Sequence, residues 1–242
     1  MRLSFTHEWN VKPAEAREIQ EKLRKKWEGG DRLGTIRTVA GLDAAFVLRG
    51  SQAFAAKKRP RFQALAEANR AIGAVVVFSY PEMRELERAQ AEVPLEFPYV
   101  PGFLSFREIP VLLAALDKLL RLPDLLFCDG QGYAHPRRMG LASHLGILLD
   151  RPSIGCAKSI LIGKHGPLGE RKGAWTALEE NGETIGAALR TRTGTKPVYI
   201  SPGHRVSLRT ALHLTLSVSD GTRIPRPTRE ADRLVSETKR GR

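Results

Sequence analysis

Two aspartates in this 242-residue chain stand at or near the ends of apolar runs. Asp43 closes Val39-Ala40-Gly41-Leu42-Asp43, and Asp129 closes Leu125-Leu126-Phe127-Cys128-Asp129. Burying an unpaired carboxylate is costly, so an acid there needs a cation, a hydrogen-bonding network or a chemical role. Either acid alone reads first as a turn residue, and Asp129-Gly130 is a common turn pair. Together, in a basic chain, they point to a shared hard cation, for which carboxylate oxygens suit magnesium or manganese. Glu108 is a third acid, at an expected helix start, where the helix dipole by itself favours a carboxylate. Lys158, in Gly155-Cys156-Ala157-Lys158-Ser159, is either a strand-end lysine in solvent or a cation for a phosphoryl group.

Other stretches carry weaker signals. Tyr99-Val100-Pro101-Gly102 and the following Phe103 and Phe106 combine a rigid turn with aromatic rings, which fits either core packing or a wedge between bases. Residues 129–146 gather glycines, His135, His144, Arg137 and Arg138 around a helix start, where glycines allow close backbone approach and exposed amides attract phosphate. The histidines have no partner at zinc-ligand spacing. Cys128 and Cys156 belong to no CxxC pair and read as buried free thiols of a reduced compartment. His204 follows the run Val198-Tyr199-Ile200 and reads as a turn residue, and Asp232 reads as a solvated acid on the last helix.

The elements that must position these groups follow from periodicity. Residues 13–28 predict an amphipathic helix, with Pro13 in its first turn and Ile19, Leu23 and Trp27 at spacing four. Residues 36–49 predict a strand, 49–51 a turn and 52–56 a returning strand, followed by the basic cluster Lys57, Lys58, Arg59 and Arg61. Further strands are expected at 74–78, 125–128, 153–157, 174–178, 184–191 and 197–200, with a glycine-rich interruption at 163–173. Helices are expected at 110–120, 139–149, 207–217 and 228–238, the last with Arg229, Arg233 and Lys239 on its outer face. An early hairpin followed by alternating strands and helices predicts an α/β fold, a mixed sheet with helices on both faces.

The whole chain limits the function. The 39 Lys and Arg against 26 Asp and Glu leave a net charge of +13, which favours a polyanionic partner such as nucleic acid over a merely soluble surface. No apolar stretch approaches the roughly 20 residues that span a bilayer, and Met1 to Glu8 lack the apolar core of a signal peptide. A soluble, cytoplasmic protein is expected, a monomer with no membrane partner.

Five blocks resemble the endonuclease V family, in the family's order. They are Val39 to Asp43; Tyr99-Val100-Pro101-Gly102 running to Phe106-Arg107-Glu108; Asp129-Gly130-Gln131-Gly132-Tyr133-Ala134-His135-Pro136-Arg137; Gly155 to Ser159; and Lys196-Pro197-Val198-Tyr199-Ile200-Ser201-Pro202-Gly203-His204. The resemblance spans about residues 10–238 and implies a single domain over 1–242 with a ribonuclease H-like fold, a central mixed β-sheet with acids at its strand ends. It implies Asp43, Glu108 and Asp129 as magnesium ligands, with manganese able to substitute, and Asp232 at a fourth, more variable ligand position. It also implies Lys158 near the scissile phosphate and Tyr99, Val100, Pro101 and Gly102 as a wedge. The displaced base would enter a pocket of Gly102, Leu104, Gly130, His135, Gly140, Ala157, Ile160 and Leu161. The implied reaction nicks DNA at the second phosphodiester bond 3′ to a deaminated base such as inosine, leaving 3′-hydroxyl and 5′-phosphate ends. Arg137, His204, Lys57, Lys58 and Arg59 are expected phosphate contacts; the charge at 57–61 departs from the family's usual segment. An inosine-specific endoribonuclease and a lesion-binding protein with little turnover remain the competing readings.

Overall fold

Runs of apolar residues become the centre of one mixed sheet in the computed structural model, which describes residues 2–48 and 65–240. β1 (Thr38–Val47) pairs antiparallel with β2 (Arg70–Ser79), which pairs antiparallel with β3 (Glu85–Pro94). On its other side β1 lies parallel to β4 (Leu125–Cys128), and β4 parallel to β5 (Ser153–Ala157). β9 (Val198–His204), β8 (Glu183–Leu189), β7 (Trp175–Glu180) and β6 (Lys164–His165) extend the sheet antiparallel from β5. Among the described residues the order is β3-β2-β1-β4-β5-β9-β8-β7-β6.

Helices cover both faces because the central strands are apolar on both sides. α1 (Pro13–Arg24), α2 (Ser105–Leu116) and α3 (Leu141–Leu149) pack Leu23, Ile109, Leu112 and Leu145 against Leu42, Val75 and Leu126. α4 (Leu208–Ser217) and α5 (Arg226–Arg240) pack Ala211, Leu212, Ala231 and Leu234 against Val39, Val76 and Phe127. α3 is buried along its full length, as a helix apolar all round must be. This is the ribonuclease H-like arrangement implied by the resemblance.

The structure corrects several expectations. α1 ends at Arg24; Trp27 lies beyond it, where its indole Nε1 donates to the Gly203 carbonyl at 2.5 Å. The antiparallel partner of β1 is β2, and the turn at 49–51, the strand at 52–56 and the basic cluster of Lys57, Lys58, Arg59 and Arg61 lie outside the described residues. β3 had no counterpart in the sequence reading. Its charged residues Glu85, Glu87, Arg88 and Glu92 suit an edge strand, where charge discourages further pairing, and they hide the strand from a search for apolar runs. α2 begins at Ser105 and carries Pro110 inside it. β9 continues through Ser201-Pro202-Gly203-His204, so His204 is a strand residue rather than part of a turn. The glycine-rich stretch contains the two-residue β6.

α5 is seated on β1 by a close approach. A Cβ on Gly41 would lie 1.8 Å from the Pro227 carbonyl oxygen, so only glycine lets the first turn of α5 touch the strand there. Arg229 is partly buried, and its guanidinium donates to both carboxylate oxygens of Asp220, at 2.7 and 2.6 Å. That hydrogen bonding holds Asp220 well below the usual aspartate range, at about 2. A lowered carboxylate pKa contributes stability above the unfolded value and loses it as pH falls through the folded value. Asp220→Asn is therefore expected to lower stability by less than about 1 kcal/mol at neutral pH, since the pair is partly solvated. In urea unfolding, the gap between the two proteins should hold from pH 7 to 5 and shrink towards pH 2.

Candidate active site

The parallel strands β4 and β5 end level with the middle of the longer β1, and the acids collect there. Leu42 of β1 lies level with Cys128 of β4, and the Asp129 amide donates to the Leu42 carbonyl at 2.9 Å. Asp129 just beyond β4 therefore sits beside Asp43. Asp43 does not close its strand, as its apolar run suggested, but lies in the middle of the longer β1. α5 crosses this point and delivers Asp232. Asp43, Asp129 and Asp232 each offer a carboxylate oxygen, and the three oxygens lie within 4.8 Å of one another. Glu108, in the first turn of α2, is buried and faces the same charges.

The electrostatics follow from this crowding. Burial first, then the neighbouring Asp129 charge, pushes Asp43 well above the usual aspartate range. Burial followed by Asp43 and Asp129 does the same to Glu108. Asp129 is also raised by burial, although Lys158 opposes the shift. The Lys158 Nζ lies 2.6 Å from Asp129 and 3.3 Å from Asp232. Partial burial works against its charge, yet the acids raise it to about 12. Among the described residues, Lys158 and, beside Glu108, Arg107 leave the four acids under-neutralised. A donor set made only of carboxylate oxygens suits a hard divalent cation, which would supply the missing positive charge. These residues therefore fit a metal site.

The acids lie in a cleft of about 950 Å³. Its lining includes Tyr99, Val100, Pro101 and Gly102 on one wall, and Leu104, Gly130, His135, Gly140, Ala157, Ile160 and Leu161 around them. The turn at Tyr99 to Gly102 is held firmly. Gly102 adopts φ +80°, a left-handed conformation that favours glycine. Its carbonyl accepts from Gln20 Nε2 at 3.3 Å, His135 Nε2 at 3.1 Å and Arg137 Nη2 at 2.5 Å. His135 Nδ1 accepts from the Arg137 amide at 3.2 Å, so Nε2 carries the proton. Burial and the Arg137 charge lower His135 to about 4, which keeps it neutral near pH 7.

Two expected phosphate contacts have other partners. Arg137 braces the turn, donating to Gln20 as well and stacking 4.1 Å from the centroid of Phe103. His204 is buried and pairs with Ser153 at the start of β5, the end remote from Lys158. Its Nδ1 accepts from the Glu28 amide at 3.2 Å. Lys57, Lys58 and Arg59 lie outside the described residues.

Some contributing residues were missed in the sequence. Gln20 is buried on the inner face of α1 with Ala16 and Leu23, and a polar residue on an apolar helix face was the available signal. Gln131 lines the cleft and its amide donates to the Ser159 carbonyl at 3.0 Å, yet its Oε1 is buried with no hydrogen bond among the described residues. Val235, Ser236 and Lys239 add the last helix to the cleft wall, so Lys239 faces the cleft.

An acid whose pKa is raised by folding costs stability while ionised. In the presence of chelator, Glu108→Gln is expected to gain on the order of 1 kcal/mol, a Tm rise of about 2–4 °C for a chain of this size. Adding a divalent cation should stabilise the wild-type protein and close the gap. Scanning calorimetry with and without the cation checks both halves.

Comparison with known proteins fixes the family. The family model described as Endonuclease V matches residues 17–233. An endonuclease V from Roseiflexus castenholzii is 48% identical over 237 residues, covering 98% of each chain. The crystal structure of endonuclease V from Streptomyces avermitilis superposes with a TM-score of 0.84 at 37% identity, covering 100% of this chain and 99% of that one. Endonuclease V of Ciona intestinalis, in complex with a 24mer DNA containing an inosine followed by a ribo-adenosine, superposes with a TM-score of 0.74 at 28% identity, covering 94% of this chain and 98% of that one. With Asp43, Asp129 and Asp232 gathered beside the end of β4 and a family match that runs from α1 to α5, the chain belongs to the endonuclease V family of endonucleases.

Proposed function

We propose that this endonuclease is magnesium-dependent, with manganese able to substitute, and nicks DNA at the second phosphodiester bond 3′ to a deaminated base such as inosine. The products would carry 3′-hydroxyl and 5′-phosphate ends. The observation that carries this reading is the meeting of Asp43, Asp129 and Asp232 in one cleft that a rigid Pro-Gly turn also lines. The Ciona intestinalis relative held on inosine-containing DNA supports the substrate class.

Each residue has a physical task in this reading. Asp43, Glu108, Asp129 and Asp232 hold the cation, which when bound lowers the pKa of water and polarises phosphoryl oxygens. Lys158, held at the rim by Asp129 and Asp232, is placed to meet negative charge on the phosphate. Base extrusion costs a few kcal/mol, and less for a weakly paired base such as inosine. The turn from Tyr99 to Gly102 fills the gap left in the stack; three donors on one carbonyl keep it from yielding. The extruded base is received among Leu104, Gly130, Gly140, Ala157, Ile160 and Leu161. His135, with both ring nitrogens already bonded, shapes this wall rather than reading the base.

The ribo-adenosine that follows inosine in the Ciona intestinalis complex keeps cleavage of inosine-containing RNA as a second reading. Strand-labelled duplexes with one inosine, in DNA and in RNA, decide between them. With magnesium, DNA is expected to give a single nick one nucleotide beyond the lesion, and Asp129→Ala is expected to lose at least a hundredfold in rate, roughly the scale of one removed catalytic electrostatic group. Cleavage of RNA alone would favour the second reading. Tight inosine binding without a nick in either protein would make the chain a lesion-binding protein.

A further inference from the structure

Trp175 is 55% exposed on β7, far from the acids in sequence, and no part of the proposed mechanism uses it. A single exposed ring is ordinary on a protein surface, but one set among cations has the make-up of a nucleic-acid contact, where bases stack on aromatic rings beside basic groups. Its surroundings are basic. Arg171 and Lys172 precede it, and Arg192 and Lys196 lie on the turn that docks against them; all four side chains are exposed and none makes an ion pair among the described residues. The two loops interlock through Lys172 N to Thr193 Oγ1 at 3.0 Å, Gly173 N to Arg190 O at 2.8 Å and Gly194 N to Glu170 O at 3.1 Å. Glu170 is the one acid on these loops (166–175 and 190–197).

This patch is joined to the cleft. One guanidinium, that of Arg223, donates to the Lys158 carbonyl at 2.7 Å and to the Lys196 carbonyl at 3.1 Å. Register places Ala157 opposite Tyr199, Tyr199 opposite Ala188 and Ala188 opposite Thr176. Thr176 is thus three strands from the cleft, about 14 Å at ordinary strand spacing. A nucleic-acid strand rises about 3.4 Å per nucleotide, so roughly 4 nucleotides bridge that distance.

We infer that Trp175, with Arg171, Lys172, Arg192 and Lys196, forms a second nucleic-acid contact outside the cleft, which grips the substrate on one side of the lesion. The cations meet phosphates, and the ring packs on a sugar or a base. The inference rests on the proposed function for its substrate.

The test is steady-state cleavage of inosine duplexes extended on one side at a time, from about 3 to about 10 base pairs beyond the lesion, a span set by the phosphate rise. Fluorescence anisotropy with undamaged duplexes of the same lengths reads the contact without cleavage. For the wild-type protein, extension on one side is expected to lower KM and Kd roughly tenfold, in line with a few phosphate contacts and one stacked ring. Trp175→Ala, and separately the pair Lys172→Glu and Arg192→Glu, should remove most of that gain and leave kcat on the short duplex unchanged. Trp175→Phe should keep it. The charge pair, on exposed side chains, carries the test if Trp175→Ala does not fold. Unchanged length dependence in both variants overturns the inference and leaves this face to a protein partner. Absence of cleavage by the wild-type protein removes the proposed function instead, and the anisotropy series still decides the contact.

Discussion

The structure is organised around a repulsion. Asp43, Glu108 and Asp129 converge where burial already disfavours ionised carboxylates, the Asp129 charge makes Asp43 and Glu108 harder still to ionise, and Asp232 adds a fourth carboxylate beside Asp43 and Asp129. Left to itself such a cluster would pull the fold apart or take up protons. It is tolerated because the scaffold determines its position from three directions: strands from below, α2 from one side and α5 from the other. Lys158 offsets part of the charge, and a divalent cation would offset the rest. In the proposed function this shortage of positive charge is what would draw in a cation and, through it, a phosphate.

The scaffold's features follow from that demand. β4 ends at Cys128, level with Leu42 in the middle of the longer parallel strand β1, which sets Asp129 against Asp43. Gly41 admits the backbone of α5, and Arg229 clamped on Asp220 fixes the start of that helix, six residues before Asp232 would be free to swing away on a frayed end. In the same cleft, the Gly102 carbonyl collects donors from α1 and from the loop after β4. The acids and the turn thereby line one cleft but are held by separate sets of contacts. Among the described residues, no helix is long and apolar enough to cross a membrane.

Much of this was legible in the residues. Apolar runs located β4 and β5 and the middle of β2, and periodicity located α3, α4 and α5 to within two or three residues. Asp129 and Lys158 stand directly beyond runs that became strands, so their position at a sheet end could be read. Other parts depend on tertiary contacts that a linear pattern does not carry. Asp232 looks like any solvated helix acid until α5 is laid over β1. Gln20 and Arg137 look like surface residues until both are found on the Gly102 turn. β3 is disguised by the charges that protect a sheet edge, and His204 by a Pro-Gly pair that here continues a strand. The resemblance to endonuclease V supplied the grouping of acids that periodicity could not.

The central claim is that the four acids hold a divalent cation and that their mutual repulsion drives its binding. Titrating manganese into the metal-free protein, with the free ion followed by electron paramagnetic resonance, tests this without any nucleic acid. The account predicts saturable uptake by the wild-type protein at neutral pH, weakened at least tenfold in Asp43→Asn and again in Asp129→Asn, each about 1.4 kcal/mol or more by the relation between affinity and free energy. Equal uptake by all three proteins would place the cation elsewhere and contradict the account.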